Sequence, residues 1–266
     1  MNELAEKARQ IRRLTLKAIY ISQSGHPGPS LSIVEILTTL LFSQMKLSDM
    51  QKRDLLILSK GHAAPSLYAA LCLAGYIKEE ELYKMREVGS ALQGHPVGGT
   101  APLIDASTGS LGQGLSMGIG FALGVKLKKE DRRVYVVIGD GECQEGQVWE
   151  AAMSAPKFRL DNLVAILDYN KYQNSGSVAE IMPLEPIRQK WEAFGWAVHE
   201  ADGHDFGSLQ GAFSKCISGG KPHIIIANTK KGAGISFMEG NMAWHSRAIK
   251  PEDYQSAMKE LGFDGQ

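Results

Sequence analysis

The segment RRVYVVIG, residues 132–139, is a short apolar run that ends in a glycine and is followed directly by Asp140. A run of this length, rich in valine and isoleucine, is typical of a strand that is buried on both faces of a sheet. A second run, LVAILD at 163–168, has the same character, and a helical pattern lies between the two around residues 149–158. Two buried strands joined by a helix predict one parallel βαβ unit.

The alternation of strands and helices continues through residues 130–230, which is typical of an α/β fold with a doubly wound, mostly parallel sheet flanked by helices. Further strands are predicted at 54–59, 196–200 and 223–228. Helices are predicted at 3–24, from an N-cap at Ser30 onward, and at 65–74, 115–128, 206–218 and 251–262. We find no linker or repeat, so residues 1–266 are expected to form a single domain. Ligands of such sheets bind at the carboxyl ends of the strands.

Composition and charge exclude several classes of protein. The 266 residues carry 29 Lys plus Arg and 29 Asp plus Glu, and zero net charge argues against a nucleic-acid binder that acts through a basic field. A hydrophobic content of 44% argues against disorder. No apolar run reaches the roughly 18 residues of a membrane span, and we see no signal peptide. Cys72, Cys143 and Cys216 are widely spaced, which predicts a reducing cytoplasm and neither disulfides nor a metal-ligand cluster.

Polar side chains follow the two central predicted strands. Asp140 lies in GDGE at 139–142, and Asn170 lies in DYNK at 168–171. Because both strands belong to one βαβ unit, the two side chains should meet at the same edge of the sheet. A carboxylate, an amide oxygen and a nearby main-chain carbonyl suit Mg²⁺, which completes its shell with phosphate oxygens and water. The alternative is that Asp140 caps a helix and Asn170 forms a turn, but their pairing favours the metal.

Histidines provide a second candidate feature, because several of them lie in turns or beside strand ends. These are His26 in GHPGPS, His62 in SKGH, His95 in GHP and His245 in WHS. Each could separately have a surface or packing role, but four rings in one crevice would suit proton transfer and hydrogen bonding to hydroxyls or phosphate. His199 and His223 fall in predicted strands and His204 in a turn, so these three are not assigned to the site.

The glycine-rich segment TGSLGQG, residues 108–114, precedes a predicted helix and could contact a ring or a phosphate through its backbone. Alone it is a weak signal, because glycines also serve helix packing. Its spacing is not the GxGxxG of dinucleotide-binding proteins, and the sequence contains no GxxxxGK[ST] phosphate loop.

Taken together and in this order, these motifs resemble the diphosphate-binding half of transketolase. The resemblance covers nearly the whole chain and rests on GHPGPS at 25–30, SKGH at 59–62, GHP at 94–96, TGSLGQG at 108–114, GDGECQEG at 139–146, DYNK at 168–171 and the histidine at 245. GDG with its asparagine marks thiamine-diphosphate enzymes broadly, whereas GHPG with TGSLGQG points to transketolase.

The resemblance implies thiamine diphosphate and Mg²⁺ as cofactors, with a role for each matching residue. Asp140, Asn170 and the main-chain oxygen of Tyr172 would hold Mg²⁺. His62, Gly141 and His245 would contact the diphosphate, and the backbone of Gly109 and Leu111 would contact the aminopyrimidine. His26, His95 and His245 would line the substrate channel, bind donor hydroxyls and transfer protons.

The chain also departs from the family pattern. A complete transketolase is more than twice as long and carries the cofactor-activating glutamate and the basic residues for sugar phosphates in domains that have no counterpart here. We therefore expect the N-terminal subunit of a split transketolase, a ketol transferase that needs a C-terminal partner, in an α₂β₂ assembly. PVGGTAP after His95 lacks the glutamate of the common GHPE, and the sequence around His245 matches the family loosely.

Three alternative functions fit the sequence less well. The α subunit of a 2-oxo-acid dehydrogenase shares GDG and the asparagine but not GHPG and SKGH. A non-catalytic scaffold would not need Asp140, Asn170 and four loop histidines, and a nucleotide-dependent oxidoreductase lacks its fingerprint. The donor and acceptor sugars stay open, as does the choice between the pentose phosphate pathway and the catabolism of an unusual sugar.

Overall fold

The computed structural model describes residues 3–217 and 219–263 and contains a five-stranded sheet. All strand pairs are parallel, and the order across the sheet is β1-β2-β3-β5-β4. The strands are β1 (Leu55–Leu58), β2 (Val134–Gly139), β3 (Leu163–Tyr169), β4 (Ala197–Asp202) and β5 (His223–Asn228). Every residue of β1 and β2 is buried, as expected for strands covered by helices on both faces.

The helices surround this sheet. They are α1 (Glu3–Ser22), α2 (Pro27–Leu31), α3 (Val34–Thr39), α4 (Ala64–Leu73), α5 (Glu79–Leu82), α6 (Gln113–Leu127), α7 (Gly146–Lys157), α8 (Val178–Ile181), α9 (Ile187–Ala193), α10 (Phe206–Ser214) and α11 (Pro251–Glu260). Helix α3 continues into a π-helical turn at Leu40–Gln44, and short 3₁₀ turns lie at Gly61–Ala63, Gly141–Gln144 and Met242–Trp244. Among the described residues, no helix is long and apolar enough to cross a membrane.

Two hydrophobic cores lie on opposite faces of the sheet, because successive side chains of a strand point to opposite sides. Val137 and Ile166 belong to the core beneath α1, α3, α4 and α10. Val136 and Ala165 belong to the core beneath α6, α7 and α9. The predicted doubly wound α/β fold with a parallel sheet is therefore confirmed.

The predicted strands agree with the observed ones to within two residues at each end, and most helices are equally close. The helix predicted over 206–218 ends earlier, at Ser214, and residue 218 lies outside the described residues. The N-cap predicted at Ser30 is wrong. That residue lies inside α2, which begins at Pro27 directly after His26. Proline is favoured in the first turn of a helix because its missing N–H would have no partner there, so Pro27 starts a helix where a break was expected.

Two glycines of helix α6 allow a matched test of how this helix packs against the sheet. An alanine methyl at Gly118 would overlap Cγ2 of Val136 on the sheet, whereas one at Gly120 would meet nothing within 4 Å. We expect Gly118→Ala to lower the free energy of unfolding by about 1–3 kcal/mol through overpacking. Gly120→Ala should raise it by up to about 1 kcal/mol, because alanine favours the helix. Urea unfolding of both variants checks this, and equal effects of the same sign would contradict the described packing.

Candidate active site

A crevice of about 410 Å³ opens at the carboxyl ends of the central strands. It brings together all ten residues that the sequence predicts for the site. These are His26, His62, His95, Gly109, Leu111, Asp140, Gly141, Asn170, Tyr172 and His245. They come from seven separate segments of the chain, so their convergence depends on the fold and not on sequence proximity.

The register of β2 and β3 places the two predicted metal ligands side by side. Gly139 pairs with Asp168, so Asp140 and Asn170 follow neighbouring strand ends. Asp140 Oδ1 accepts a hydrogen bond from the amide of Gly141 at 2.7 Å, and Oδ2 accepts one from the amide of Lys171. The amide of Tyr172 donates to Asn170 Oδ1 at 3.1 Å, which fixes the loop that carries the predicted main-chain ligand.

Asn170 is oriented by a buried carboxylate behind it. Its Nδ2 donates to Asp168 Oδ2 at 2.8 Å, which leaves its Oδ1 as the oxygen available on the opposite side of the amide. Asp168 is fully buried and forms an ion pair with the buried Lys60. Burial opposes ionisation of Asp168, but the Lys60 ammonium and hydrogen bonds outweigh it and hold the pKa of Asp168 below its usual value.

Asp140 has the opposite electrostatic environment. Its side chain is almost entirely buried, and burial together with the nearby charge of Asp168 raises its pKa to about 7. Ionisation of this buried carboxyl group is unfavourable, and a cation bound beside it would stabilise the ionised form. The donor set of one carboxylate and one oriented amide oxygen therefore suits Mg²⁺.

The four predicted histidines form one cluster across the crevice. The ring centroid of His26 lies 5.3 Å from that of His62, 5.6 Å from that of His245 and 6.4 Å from that of His95. The rings of His62 and His245 are stacked with centroids 5.5 Å apart. His62 itself lies in the 3₁₀ turn Gly61–Ala63, just beyond β1, and His26 is the N-cap of α2.

Burial and neighbouring positive charges keep these imidazoles neutral. Burial is the largest cause for each ring, and it lowers the pKa of His26 to about 4 and that of His245 to about 3. The pKa values of His62 and His95 are also lowered. Near pH 7 these four rings therefore lack charge and can both donate and accept hydrogen bonds.

The depressed pKa of His26 predicts a pH dependence of stability. Between its unfolded pKa near 6.5 and its folded value of about 4, the unfolded chain binds a proton that the native chain does not. Stability from this group therefore falls as the pH is lowered through that window. We expect the free energy of unfolding of His26→Gln to depend less steeply on pH between 4 and 6.5 than that of the wild type. Urea unfolding at several pH values checks this, and identical slopes would contradict it.

Glu142 connects the glycine-rich loop 108–114 to the end of β2, where Asp140 lies. This carboxylate is buried, and its Oε1 accepts from the amide of Gly112 at 2.9 Å and from the hydroxyl of Ser59. Its Oε2 accepts from the amide of Gly139 at 3.0 Å. Glu142 thus connects three of the motifs found in the sequence, and it fixes the distance between the loop and the end of β2.

Glycine is required where the loop 108–114 contacts the segments that carry His95 and His62. Gly109 has a φ of 146°, and a Cβ there would lie 3.0 Å from Cγ of His95. A Cβ at Gly61 would lie 2.9 Å from the amide nitrogen of Gly109. Gly109 and Leu111 both line the crevice, and the missing Cβ at Gly109 lets the loop come this close to His95.

Lys231 is a functional candidate that the sequence interpretation missed. It is 1% exposed, and its Nζ lies 2.9 Å from His245 Nδ1 and 2.9 Å from the carbonyl of Gln173. Burial and the charge of Lys60 lower its pKa to about 8. Among the described residues it forms no salt bridge, so it is a buried cation beside the crevice whose charge an anionic ligand could balance.

Lys60, Glu142 and Asp168 were also missed as site residues, although all three lie in motifs that were recognised. A charged residue shortly after a buried apolar strand was the available signal, because Lys60 follows the end of β1 by two residues and Lys231 follows the end of β5 by three. That signal alone does not separate a buried partner from a solvated surface charge.

The remaining histidines lie outside the crevice. His204 Nδ1 lies 2.9 Å from Glu35 Oε2, and its Nε2 accepts from the amide of Lys230. His199 and His223 lie on β4 and β5, as predicted. Cys216 lies beside both rings, with one ligand atom of each of the three residues within 4.8 Å of the others.

A larger cavity of about 660 Å³ lies on the other side of the loop at 170–172. It shares Asn170 and Tyr172 with the crevice but contains neither Asp140 nor any of the histidines. Its size therefore does not make it the chemical centre, and we assign the site to the smaller crevice.

Comparison with known proteins gives the same picture. The family model described as transketolase, thiamine diphosphate binding domain, matches residues 4–266. The chain belongs to the transketolase family. It is 45% identical to the 6-deoxy-6-sulfo-D-fructose transketolase subunit SqwG of Clostridium sp. (strain MSTE9), over 99% of this chain and 98% of that protein. It is 42% identical to an apulose-4-phosphate transketolase subunit from Actinobacillus succinogenes, over 98% of this chain and 96% of that protein.

Solved transketolase structures contain the same fold as one part of a longer chain. The transketolase from Campylobacter jejuni superimposes with a TM-score of 0.92 at 33% identity, over 99% of this chain and 43% of that one. The human transketolase sequence is 38% identical over 98% of this chain and 42% of its own length. The chain thus corresponds to the N-terminal part of full-length transketolases and to almost the whole length of the two bacterial subunits.

Proposed function

We propose that this chain is the N-terminal subunit of a two-subunit transketolase. With thiamine diphosphate, Mg²⁺ and a C-terminal partner, it would transfer a two-carbon ketol group from a ketose or ketose phosphate to an aldose or aldose phosphate. The observation that carries the proposal is the convergence of Asp140, Asn170 and four neutral histidines in one crevice. Residues 1–266 as a single domain, the α₂β₂ assembly and the cytoplasmic location remain predictions.

The crevice has features that fit the cofactor. The carboxylate of Asp140 and the oriented amide oxygen of Asn170 would hold Mg²⁺, together with the main-chain oxygen of Tyr172. His26 Nδ1 is buried and has no hydrogen-bond partner, so a polar ligand group would satisfy it. The buried cation Lys231 would lie close to a diphosphate, and its contact with His245 would hold that ring in place.

Each predicted residue has a role in binding or proton transfer. His62, Gly141 and His245 would contact the diphosphate, and the open backbone of Gly109 and Leu111 would face the aminopyrimidine. When bound, thiamine diphosphate supplies the electron sink for cleavage of a carbon–carbon bond. His26 and His95 would hold sugar hydroxyls and move their protons, because neutral imidazoles can accept and return a proton near pH 7.

The partner subunit would complete this site. The chain spans only about 42–43% of full-length transketolases, and the missing part would bring the cofactor-activating glutamate and the residues that bind sugar phosphates. The two bacterial relatives are named as transketolase subunits for 6-deoxy-6-sulfo-D-fructose and for apulose 4-phosphate. Their names make a dedicated role in the catabolism of an unusual sugar the first one to test, ahead of a general pentose phosphate role.

The deciding experiment is an activity assay with and without the partner. The chain would be purified alone and also mixed with a C-terminal transketolase subunit, with thiamine diphosphate and Mg²⁺ in both cases. Donors would be 6-deoxy-6-sulfo-D-fructose, apulose 4-phosphate and xylulose 5-phosphate, each offered with an aldose phosphate acceptor. We expect transfer only in the mixture. Transfer by the chain alone would refute the half-enzyme proposal, and a mixture that binds the cofactor but transfers no ketol group from any donor would refute the proposed reaction.

A further inference from the structure

A cluster of three metal-ligating side chains lies at the opposite end of the sheet from the crevice. His199 on β4, His223 at the start of β5 and Cys216, just after α10, place one ligand atom each within 4.8 Å of the others. His223 and Cys216 are buried, whereas His199 is partly exposed. The rings of the two histidines are stacked with centroids 5.4 Å apart.

The hydrogen bonds of His223 fix the form of its ring. Its Nε2 lies 2.8 Å from the carbonyl of Ile217, which can only accept, so Nε2 carries the proton. The lone pair of its Nδ1 is therefore directed towards His199 Nε2, 3.2 Å away. A backbone carbonyl that receives the second N–H of an imidazole is the usual partner of a metal-ligating histidine, since it sets the tautomer and orients the ring.

The distances match a small tetrahedral site. With about 2.0–2.1 Å from zinc to nitrogen and about 2.3 Å to sulfur, the ligand atoms of such a site lie about 3.3–3.6 Å from one another. The two nitrogens, 3.2 Å apart, are already close to this separation, and Cys216 Sγ lies within 4.8 Å of both. Burial also lowers the pKa values of both histidines, which keeps their nitrogen lone pairs available near pH 7.

We propose that His199, Cys216 and His223 form a binding site for Zn²⁺ or a similar borderline-soft cation, with a water molecule as the fourth ligand. A thiolate and two imidazoles select such ions over Mg²⁺, which prefers oxygen ligands. On binding, Cys216 would lose its thiol proton to solvent, the proton on His199 Nε2 would move to the other ring nitrogen, Nδ1, and the ion would replace the hydrogen bond between the two rings. The site would fasten α10 to the edge strand β4, which pairs in the described sheet with β5 alone.

Cobalt is the probe, because a cobalt–thiolate bond gives a charge-transfer absorption that histidine ligands do not. The metal-free chain would be titrated with Co²⁺ in the presence of excess Mg²⁺ and thiamine diphosphate, with Cys216→Ser, His199→Gln and the control Cys72→Ser in parallel. Cys72 is half-buried on α4, outside the cluster.

We expect one Co²⁺ per chain with a thiolate band in the wild type and in Cys72→Ser, no band in Cys216→Ser, and affinity lowered at least about 10-fold in His199→Gln. Zn²⁺ should displace the cobalt and raise the Tm of the wild type but not that of Cys216→Ser. Absence of the band in the wild type would overturn the proposal, as would a band that survives Cys216→Ser. Circular dichroism of the variants separates loss of the site from loss of the fold.

Discussion

Replacing Asp140 with asparagine is expected to lower Mg²⁺-dependent affinity for thiamine diphosphate at least about 100-fold. Removing even a group that only orients a metal ligand typically costs 10–100-fold, and Asp140 is the one carboxylate of the proposed Mg²⁺ ligand set. Asparagine keeps the size of the side chain but can accept only one of the two hydrogen bonds, because Gly141 and Lys171 donate to different oxygens of Asp140. The loss would therefore reflect the missing charge together with one lost hydrogen bond.

The measurement is a calorimetric titration of thiamine diphosphate into the reconstituted two-subunit complex at saturating Mg²⁺. Asp202→Asn is the matched control, because Asp202 also ends a strand of the sheet but lies outside the crevice. Its affinity should equal that of the wild type. Unchanged affinity in Asp140→Asn would remove this residue from the metal site and with it the central support for the proposed function.

Lys60→Met is expected to lower the free energy of unfolding by about 3–5 kcal/mol, because it leaves the fully buried Asp168 without its cation. The contribution of Asp168 to the free energy of unfolding should also change the sign of its pH dependence in this variant. In the wild type the pKa of Asp168 is lowered, so its contribution to stability is present above the unfolded pKa and is lost on acidification. Without Lys60 burial would raise that pKa, and the variant should lose stability as the pH rises.

Urea unfolding at pH 5 and pH 7 tests both parts of this prediction. The double variant Lys60→Met with Asp168→Asn should recover much of the lost stability, because the buried charge is then removed. Lys46→Met is the control, since Lys46 and Asp131 form a pair that is well exposed to solvent, and no measurable change is expected. If Lys60→Met were as stable as the wild type, the ion pair would not hold the strand ends together.

Long apolar strands could be predicted closely because burial on both faces leaves a continuous hydrophobic signal. The segment 134–139 and the segment 223–228 lie within the predicted strands for this reason. The start of α2 was not predicted, because proline both ends and begins helices. Only the surrounding packing decides which applies at Pro27, where α2 contacts α1 and α4.

The ten residues named for the site all lie in one crevice, yet the charged groups that support them were missed. Lys60, Asp168 and Lys231 are polar side chains at strand ends, where the sequence predicts solvent exposure as readily as burial. Their roles depend on contacts with residues far along the chain, such as the ion pair between Lys60 and Asp168. Local sequence patterns do not predict such contacts.

The sequence alone determined the order of strands and helices, the doubly wound parallel sheet and the motifs that identify the family, because these depend on local hydrophobic patterns and short spacings. The tertiary structure decided which side chains meet. The register of β2 against β3 sets Asp140 beside Asn170, and helix packing brings Cys216 to His199 and His223. Such long-range contacts are fixed by the packing of whole elements, so they emerge only when the sheet is assembled.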